Sequence, residues 1–408
     1  MKKIIVFLSL ILFLAQCSTE VITKETAQWR GPDRNGLYPE SDLLDVWPDE
    51  GPALAWEYNE LGAGYASVAV ADDIVYTSGT IDSIGYLFAF DVNGTLLWKK
   101  PYGDEWMENF PGIRSTPLVY DGKVYLLSGV GDLLCFDATT GEIKWLVKLF
   151  EKTDGKNVRF GICENLVFDK ERIYATPGGE KENVIALDKD SGVILWTSKG
   201  NGEESAYCSP RLIQHNDKQY FISMTRYSVI AVDTETGDLA WSYPLNEKLD
   251  VHANTPYYQD GHLLVMDGFE SGSFMLKIAD DGQAVEEVWR NDLLDETNGA
   301  CVVVDDDIYV SAESAKKFCC VDWNTGNINY SIDTLAPSTV IMADGMLYCC
   351  TYRGEFGLMK PGENGFELKS TFKYPKSKIM YITHPVIKDG KMYVRHDKSL
   401  KVYGLSNS

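Results

Sequence analysis

Residues 115–145, STPLVYDGKVYLLSGVGDLLCFDATTGEIKW, contain one complete structural unit, which the chain then repeats. Residues 116–120 and 123–127 are apolar-rich runs joined by Asp121-Gly122, a dipeptide that suits a tight hairpin turn. Residues 129–132 turn the chain into a third run, and residues 139–141 turn it into a fourth that carries Trp145. No helical period competes, so the stretch predicts four short antiparallel strands.

The Asp-x-x-x-Gly-x-x-x-Trp ending of this unit recurs along the chain. Its copies end at Trp145, Trp196 and Trp241, with a Tyr-ended copy at Tyr330, a shorter one at Trp98 and looser ones at Trp289 and Phe372. A tyrosine also recurs in the second run of most repeats, as Tyr76, Tyr125, Tyr174, Tyr220, Tyr309, Tyr348 and Tyr393, with Leu264-Val265 in the remaining place. These marks lie 39 to 49 residues apart, a period that suits the four-stranded blades of a propeller.

The ends of the chain indicate how the ring of blades closes. Seven full repeats precede a remnant at residues 383–403 that has only three strands, and residues 52–58 have the composition of the missing fourth strand. Pairing the two segments would leave no exposed sheet edge. We therefore predict an all-β fold, an eight-bladed β-propeller of four-stranded antiparallel blades over residues 53–408, closed by an N-terminal strand and without an internal domain boundary.

The repeats resemble those of pyrroloquinoline quinone (PQQ)-type propellers, whose blades carry an Ala-x-Asp-x-x-Thr-Gly-x-x-x-Trp docking motif. Residues 135–145 and 231–241 match this motif closely, and the resemblance covers roughly residues 53–403. Two groups of proteins share the repeat: the quinoprotein alcohol and sugar dehydrogenases, and the non-enzymatic lipoproteins similar to the outer-membrane assembly factor BamB. The fold alone does not choose between these functions.

The N-terminus predicts export. Met1-Lys2-Lys3 and the apolar run at residues 4–14 are typical of a secretory signal, here residues 1–16, and the run is shorter than the about 20 apolar residues of a membrane span. Residues 14–17 resemble a bacterial lipobox, which implies lipidation of Cys17, although Gln16 departs from the small residue usual at that place. The alternative is ordinary cleavage that leaves Cys17 as an incidental thiol.

Residues 17–52 are expected to form a lipid tether and a segment that leads into the propeller. Within them, residues 29–36, WRGPDRNG, lie outside the repeat and are rich in turn-forming residues. We expect Trp29 to pack on the propeller rim and fix this segment there, in preference to a binding role.

The net charge of the chain limits the kinds of partner it can bind, and the positions of its cysteines indicate their structural role. The formal net charge of −22 repels nucleic acid and anionic lipid, so we expect no nucleic-acid partner and membrane contact only through the anchor. The resemblance to the BamB-like lipoproteins implies a protein or polymer partner in the cell envelope, and we expect the propeller to be monomeric. The pairs Cys319-Cys320 and Cys349-Cys350 lie in strand patterns, where neighbouring side chains point to opposite faces. Core packing is therefore favoured over a vicinal disulfide of the kind that quinoprotein dehydrogenases often carry.

Ligands of propellers bind over the central channel, at or just before the innermost strands. In the repeat alignment these positions are Tyr65, Arg114, Glu164, Ser209, Asn254, Asn298, Ser338 and His384. They could form a funnel for a polar ligand or merely a wet channel. A quinoprotein also needs a divalent cation and an Asp base; Glu164 and Asn254 are possible cation ligands, but no Asp occupies a channel position. We expect no catalytic residue, no metal site and no cofactor.

Two functional hypotheses remain open. The first is a lipid-anchored, non-catalytic propeller that acts as a protein-binding scaffold in envelope or outer-membrane assembly, on the periplasmic or surface side of the outer membrane. The second is a small-ligand-binding protein or quinoprotein-type oxidoreductase that uses the central channel. The first is favoured because the segments between blades are short and offer no lid over a cofactor pocket.

Overall fold

The computed structural model describes residues 25–246, 250–298 and 300–406. The predicted signal at residues 1–16 and Cys17 therefore lie outside the described residues. The described chain is almost entirely β-structure and forms an eight-bladed propeller of four-stranded antiparallel sheets, as the sequence predicts.

The first four blades follow one another along the chain. Their strands are β3 (Ala69–Ala71), β4 (Ile74–Ile81), β5 (Ile84–Asp91) and β6 (Leu96–Asp104) in blade 1; β7 (Leu118–Tyr120), β8 (Lys123–Leu127), β9 (Asp132–Asp137) and β10 (Ile143–Lys148) in blade 2; β11 (Val167–Phe168), β12 (Arg172–Ala175), β13 (Val184–Asp188) and β14 (Ile194–Ser198) in blade 3; and β15 (Arg211–His215), β16 (Lys218–Met224), β17 (Ser228–Asp233) and β18 (Leu239–Pro244) in blade 4.

The last four blades repeat this order. Their strands are β19 (Tyr257–Gln259), β20 (His262–Met266), β21 (Ser273–Ile278) and β22 (Val285–Asn291) in blade 5; β23 (Cys301–Val304), β24 (Asp307–Ala312), β25 (Lys317–Asp322) and β26 (Ile328–Ile332) in blade 6; β27 (Ser338–Ala343), β28 (Met346–Thr351), β29 (Glu355–Gly362) and β30 (Gly365–Lys373) in blade 7; and β31 (Val386–Lys388), β32 (Lys391–His396) and β33 (Ser399–Gly404) in blade 8.

Three further elements complete the described chain. Strand β2 (Leu54–Tyr58) pairs antiparallel with β33 as the fourth strand of the blade 8 sheet. The short strand β1 (Leu37–Tyr38) adds to blade 7 by pairing parallel with β27. A four-residue helix, α1 (Leu149–Lys152), follows β10. No helix within the described residues has the length and apolarity to cross a membrane.

The repeated motif closes a turn within one blade and supplies a docking surface to its neighbour. In blade 2, Asp137 Oδ1 accepts hydrogen bonds from the backbone N–H groups of Thr139 and Thr140 at 3.1 and 3.0 Å. Gly141 has a φ of +69°, and a Cβ there would lie 2.7 Å from the ring of Trp98 in blade 1. Only glycine combines this backbone angle with such a close approach.

The same contact recurs around the ring, and we call it the docking belt. Its pairs are Trp56–Gly94, Trp98–Gly141, Trp145–Gly192, Trp196–Gly237 and Trp289–Gly326. Several of these indoles also donate Nε1–H to a carbonyl of the following blade, as Trp145 does to Lys189 at 3.1 Å. The looser copy at Trp289 therefore makes the contact that the motif predicts, and the Trp56–Gly94 pair makes it between blades 8 and 1.

The cysteines of the strands pack as small apolar residues. Cys319 and Cys320 are both buried and free, and they lie in different hydrophobic clusters on the two faces of β25. Cys349 and Cys350 divide in the same way between the faces of β28. Packing on opposite faces is the arrangement expected for neighbouring residues within a strand.

Candidate binding site in the central channel

Residues 29–36, here called the channel segment, pass across the central channel. Before the segment, Ala27 forms a bridge with Val119 of blade 2; after it, Leu37 and Tyr38 pair with Met342 and Ala343 of blade 7. The expectation that Trp29 packs on the rim is wrong, because its ring lines the central cavity. The segment runs inward because buried backbone carbonyls of several blades need hydrogen-bond donors, which its arginines supply.

Arg30 joins the inner ends of blades 6, 7 and 8. Its guanidinium is buried and donates to the carbonyls of Val340, at 3.2 Å, and Cys301. Nη1 also lies 3.0 Å from Nδ1 of His384. The other ring nitrogen of His384, Nε2, lies 3.1 Å from the carbonyl oxygen of Asn298 and donates to it, which leaves Nδ1 to accept from Arg30.

Arg34 makes the corresponding link to blade 3. It donates to the carbonyls of Leu166 at 2.8 Å and Asn165 at 2.9 Å. Arg211 of blade 4 fixes the segment from the other side, by donating to the carbonyls of Asp33 and Arg34. Together these contacts tie the channel segment to both halves of the ring.

Burial lowers the pKa of both arginines in the segment. Desolvation brings the pKa of Arg30 to about 10 and, with the positive charge of Arg211 adding to it, the pKa of Arg34 to about 9. Both remain protonated at neutral pH and keep all their donors. Desolvation, followed by the Arg30 charge, lowers the pKa of His384 well below its usual range, so this imidazole is neutral.

Beside the segment, a cavity of about 430 Å³ fills the mouth of the channel. Its wall is mostly aromatic and apolar: Trp29, Tyr65, Phe110, Phe160, Tyr207, Phe269, Tyr352, Met380 and Ile382 contribute. Arg114 and Glu313 also line it, and burial raises the pKa of the Glu313 carboxyl. This volume and lining fall within the range typical of small-molecule pockets, roughly 300–1,000 Å³ with few polar groups.

Most of the predicted channel positions meet in this cavity. Tyr65, Arg114, Ser209, Asn298 and His384 all contribute to its wall. The Arg114 guanidinium lies 5.9 Å from the Tyr65 ring centroid and donates to the carbonyls of Phe110 and, at 2.5 Å, Phe160. It thereby holds two of the aromatic residues at the mouth in place.

Glu164, Asn254 and Ser338 are not part of the described cavity wall, contrary to the sequence interpretation. Glu164 lies between Cys163 and Asn165, which do line it, and points instead into a space of about 10 Å³. Its Oε2 accepts from the backbone N–H of Thr176 at 3.0 Å. The repeat alignment is therefore off by one residue here, and neighbouring side chains of an extended segment point in opposite directions.

Asn254 and Ser338 are buried within the framework of the blades. The Asn254 amide donates to the carbonyls of Met266 and Glu296 and accepts from the backbone N–H of Ala300 at 3.2 Å. Ser338 is the buried first residue of β27, and its backbone N–H donates to the Ser311 hydroxyl at 3.3 Å.

Glu164 and Asn254 do not fit as ligands of the cation that a quinone would need in a PQQ-type fold. The space beside Glu164, about 10 Å³, is close to the smallest cavity that can hold one water molecule, roughly 10–15 Å³. Burial raises the pKa of Glu164 to about 8, and its Oε2 is already engaged by the backbone N–H of Thr176. The Asn254 oxygen is already an acceptor within the fold. Within the described ranges, no group of three or more His, Cys, Asp or Glu residues is arranged to hold a metal ion.

The aromatic wall is the feature that sequence reasoning missed. Phe110, Phe160 and Phe269 belong to connections that follow no repeat, so the alignment of blades gives them no position. The WRGPDRNG stretch, which contributes Trp29 to the wall, also stands outside the repeat, and its sequence carries no signal of its inward path.

Comparison with known proteins adds two kinds of relative. A family model described as outer membrane protein assembly factor BamB matches residues 83–255. BamB of Salmonella typhimurium is 29% identical over 108 residues, 26% of this chain and 24% of that protein. The quinoprotein ethanol dehydrogenase of Pseudomonas putida is 28% identical over 168 residues, 38% of this chain and 26% of the dehydrogenase. The chain thus matches only about a quarter of the length of these relatives.

The fold extends further than the sequence similarity. The crystal structure of BamB from Moraxella catarrhalis superposes with a TM-score of 0.63 at 14% identity, covering 87% of this chain and 98% of that one. At this identity the superposition concerns the fold alone. Together with the repeated docking motif and the matching family model, it identifies the chain as a PQQ-type β-propeller repeat protein similar to the outer membrane protein assembly factor BamB.

Proposed function

We infer that this protein is an exported, lipid-anchored and non-catalytic propeller that binds another protein as a scaffold in envelope or outer-membrane assembly. The observation that carries this proposal is the use of the channel. The protein fills the channel with its own segment, whose arginines hold framework carbonyls, and leaves an aromatic-lined cavity at the mouth. Such a cavity suits side chains presented by a partner.

The comparisons support the same proposal. The matched family model and the Salmonella relative carry the name of an outer membrane protein assembly factor. The similarity to a quinoprotein dehydrogenase supports the alternative, but the residues that would hold its cation are engaged elsewhere in this fold.

Deletion of the gene in the native host tests the assembly role. We expect the amount of folded outer-membrane β-barrel proteins to fall, as measured by heat-modifiable gel mobility, and wild-type protein to restore it. Unchanged amounts of all major barrels would contradict the role in outer-membrane assembly.

Replacement of Cys17 tests the anchor. Cys17→Ser should move the protein from the membrane fraction to the soluble envelope fraction, because the acidic body has no other membrane affinity. Wild-type protein with no added lipid mass on its N-terminal peptide would contradict anchoring.

Direct assay distinguishes the alternative function. Purified protein is incubated with PQQ and Ca²⁺, and cofactor retention and dye-linked oxidation of alcohols and aldoses are measured. We expect neither. Stoichiometric retention with turnover would replace the scaffold proposal by the oxidoreductase.

A further inference from the structure

A second groove opens beside the central cavity and differs from it in charge. It has a volume of about 550 Å³ and lies between the turn after β28 and the connection from β30 to blade 8. Its lining includes four basic side chains, Arg353, Lys373, Lys376 and Lys378, and one acidic side chain, Glu355. We call it the basic groove.

The charge of this groove runs against that of the whole chain. The protein has 60 acidic and 38 basic residues, whereas basic residues outnumber acidic ones four to one in the groove. Glu355 offsets only Lys373, whose Nζ lies 3.5 Å from its Oε1. Arg353, Lys376 and Lys378 are exposed, so their charges face any ligand in the groove.

The walls of the groove are held in place by backbone hydrogen bonds. Tyr374 N–H donates to the carbonyl of Gly354 at 2.8 Å, and Tyr381 N–H donates to the carbonyl of Tyr352 at 3.1 Å. The Tyr381 hydroxyl closes the connection on itself through the carbonyl of Pro375 at 2.9 Å. The basic side chains therefore project from a fixed frame.

The basic groove and the central cavity are neighbours. Tyr352 and Met380 line both of them. Met380 is 41% exposed, and Phe110 and Phe269, on the cavity wall, are 51% and 46% exposed. Such large apolar side chains left in water around one opening are typical of a binding surface.

We propose that this face binds an acidic peptide segment of a partner protein, with its carboxylates in the basic groove and an adjoining apolar side chain in the central cavity. The proposal rests on the proposed function and names the chemistry of the partner. A peptide is favoured over a membrane or a nucleic acid because those polyanions extend beyond the groove, onto a protein whose net charge is −22. A short acidic segment gains the local attraction without that repulsion.

Fluorescence anisotropy with a labelled synthetic peptide tests the proposal. The probe has six glutamates followed by a phenylalanine and a leucine, and it is titrated with the purified full-length protein at about 50 and about 150 mM NaCl. We expect saturable binding that weakens with salt. Replacing the six glutamates by glutamines, or the two apolar residues by glycines, should each weaken binding by roughly tenfold or more.

A matched pair of variants locates the site. The groove variant carries Arg353→Gln, Lys376→Gln and Lys378→Gln, and the control carries Lys152→Gln, Lys170→Gln and Lys199→Gln. Both remove three exposed positive charges, so they change the net charge equally. We expect the groove variant to bind at least about tenfold more weakly and the control to lose less than about twofold, with both melting as the wild type does.

Several outcomes would overturn the proposal: equal binding of the glutamine peptide, equal loss in both variants, or no binding at all. Tighter binding to phosphatidylglycerol vesicles or to a single-stranded oligonucleotide, lost in the groove variant, would assign the groove to those polyanions instead. The assay uses no cellular readout. If the wild-type protein does not bind the peptide, but deletion of the gene still lowers the amount of folded outer-membrane barrels, this inference is rejected and the assembly role stands.

Discussion

The docking belt and the central channel stabilise the same ring in opposite ways. In the belt, one contact is repeated, an indole of one blade against a glycine of the next. In the channel, the contacts are all different, because a single segment meets blades 3, 4, 6, 7 and 8 through arginines and backbone carbonyls. A repeated contact requires a repeated sequence, whereas a unique contact leaves no period in the chain.

Removing a channel arginine should have the largest effect. Arg34→Met leaves the buried carbonyls of Leu166 and Asn165 without their donor, at about 1–3 kcal/mol each, so we expect the free energy of unfolding to fall by about 2–6 kcal/mol. The measurement is the urea unfolding midpoint followed by tryptophan fluorescence. Arg159→Met, at an exposed arginine, is the control and should shift the midpoint little. Equal shifts would mean that the segment does not brace the ring.

Crowding one docking contact should have the next largest effect. Gly192 and Gly345 share a φ of +70°, but a Cβ at Gly192 would lie 2.8 Å from the Trp145 ring, whereas a Cβ at Gly345 would meet nothing within 4 Å. Both Gly→Ala changes incur the backbone cost of about 1–2 kcal/mol. We expect Gly192→Ala to lower the free energy of unfolding by a further 1–3 kcal/mol, roughly the cost of overpacking. Indistinguishable urea midpoints for the two variants would show that the close Trp145–Gly192 contact does not affect stability.

A smaller effect separates two copies of the docking motif. Trp289, in a loose copy of the motif, donates Nε1–H to the carbonyl of Trp323 at 2.8 Å, whereas Nε1 of Trp241, in a close copy, has no partner among the described residues. Trp289→Phe should therefore cost about 0.5–1.5 kcal/mol more than Trp241→Phe, the net value of one hydrogen bond. The comparison uses urea midpoints of the two variants. A larger loss for Trp241→Phe would show that match to the motif, not the observed bond, sets the strength of docking.

The contrast between belt and channel also explains what the sequence could predict. The blades, the docking glycines and the channel positions Tyr65, Arg114, Asn298 and His384 follow from the repeat, because each blade presents its inner strand to the same axis. Glu164 was misplaced because the stretch before β11 has no alternation to fix which residue faces the channel. The inward path of Trp29 could not be predicted, since its neighbours Arg30 and Arg34 bind backbone carbonyls, which have no sequence signature.

His252 and Asp267 form a buried pair that joins the cavity wall to the frame. His252, between the wall residues Val251 and Ala253, lies with Nδ1 2.5 Å from Asp267 Oδ1, and both side chains are buried. Burial alone would lower the pKa of His252, but the hydrogen bond and charge of Asp267 outweigh it and raise that pKa.

A raised histidine pKa means that the folded state binds the proton more tightly than the unfolded chain does. The stabilisation is therefore fully present below the unfolded pKa, near 6.5, and is lost as the pH rises through the folded pKa. We expect the melting temperature of the wild type to exceed that of His252→Gln most at pH 6, and the difference to shrink steadily toward pH 9. This comparison cancels the titration of groups such as Glu164 that both proteins share. This pH-dependent change is the smallest of the four effects, because it reflects the release of a single proton. A difference independent of pH would show that His252 binds its proton equally tightly in the folded and unfolded states.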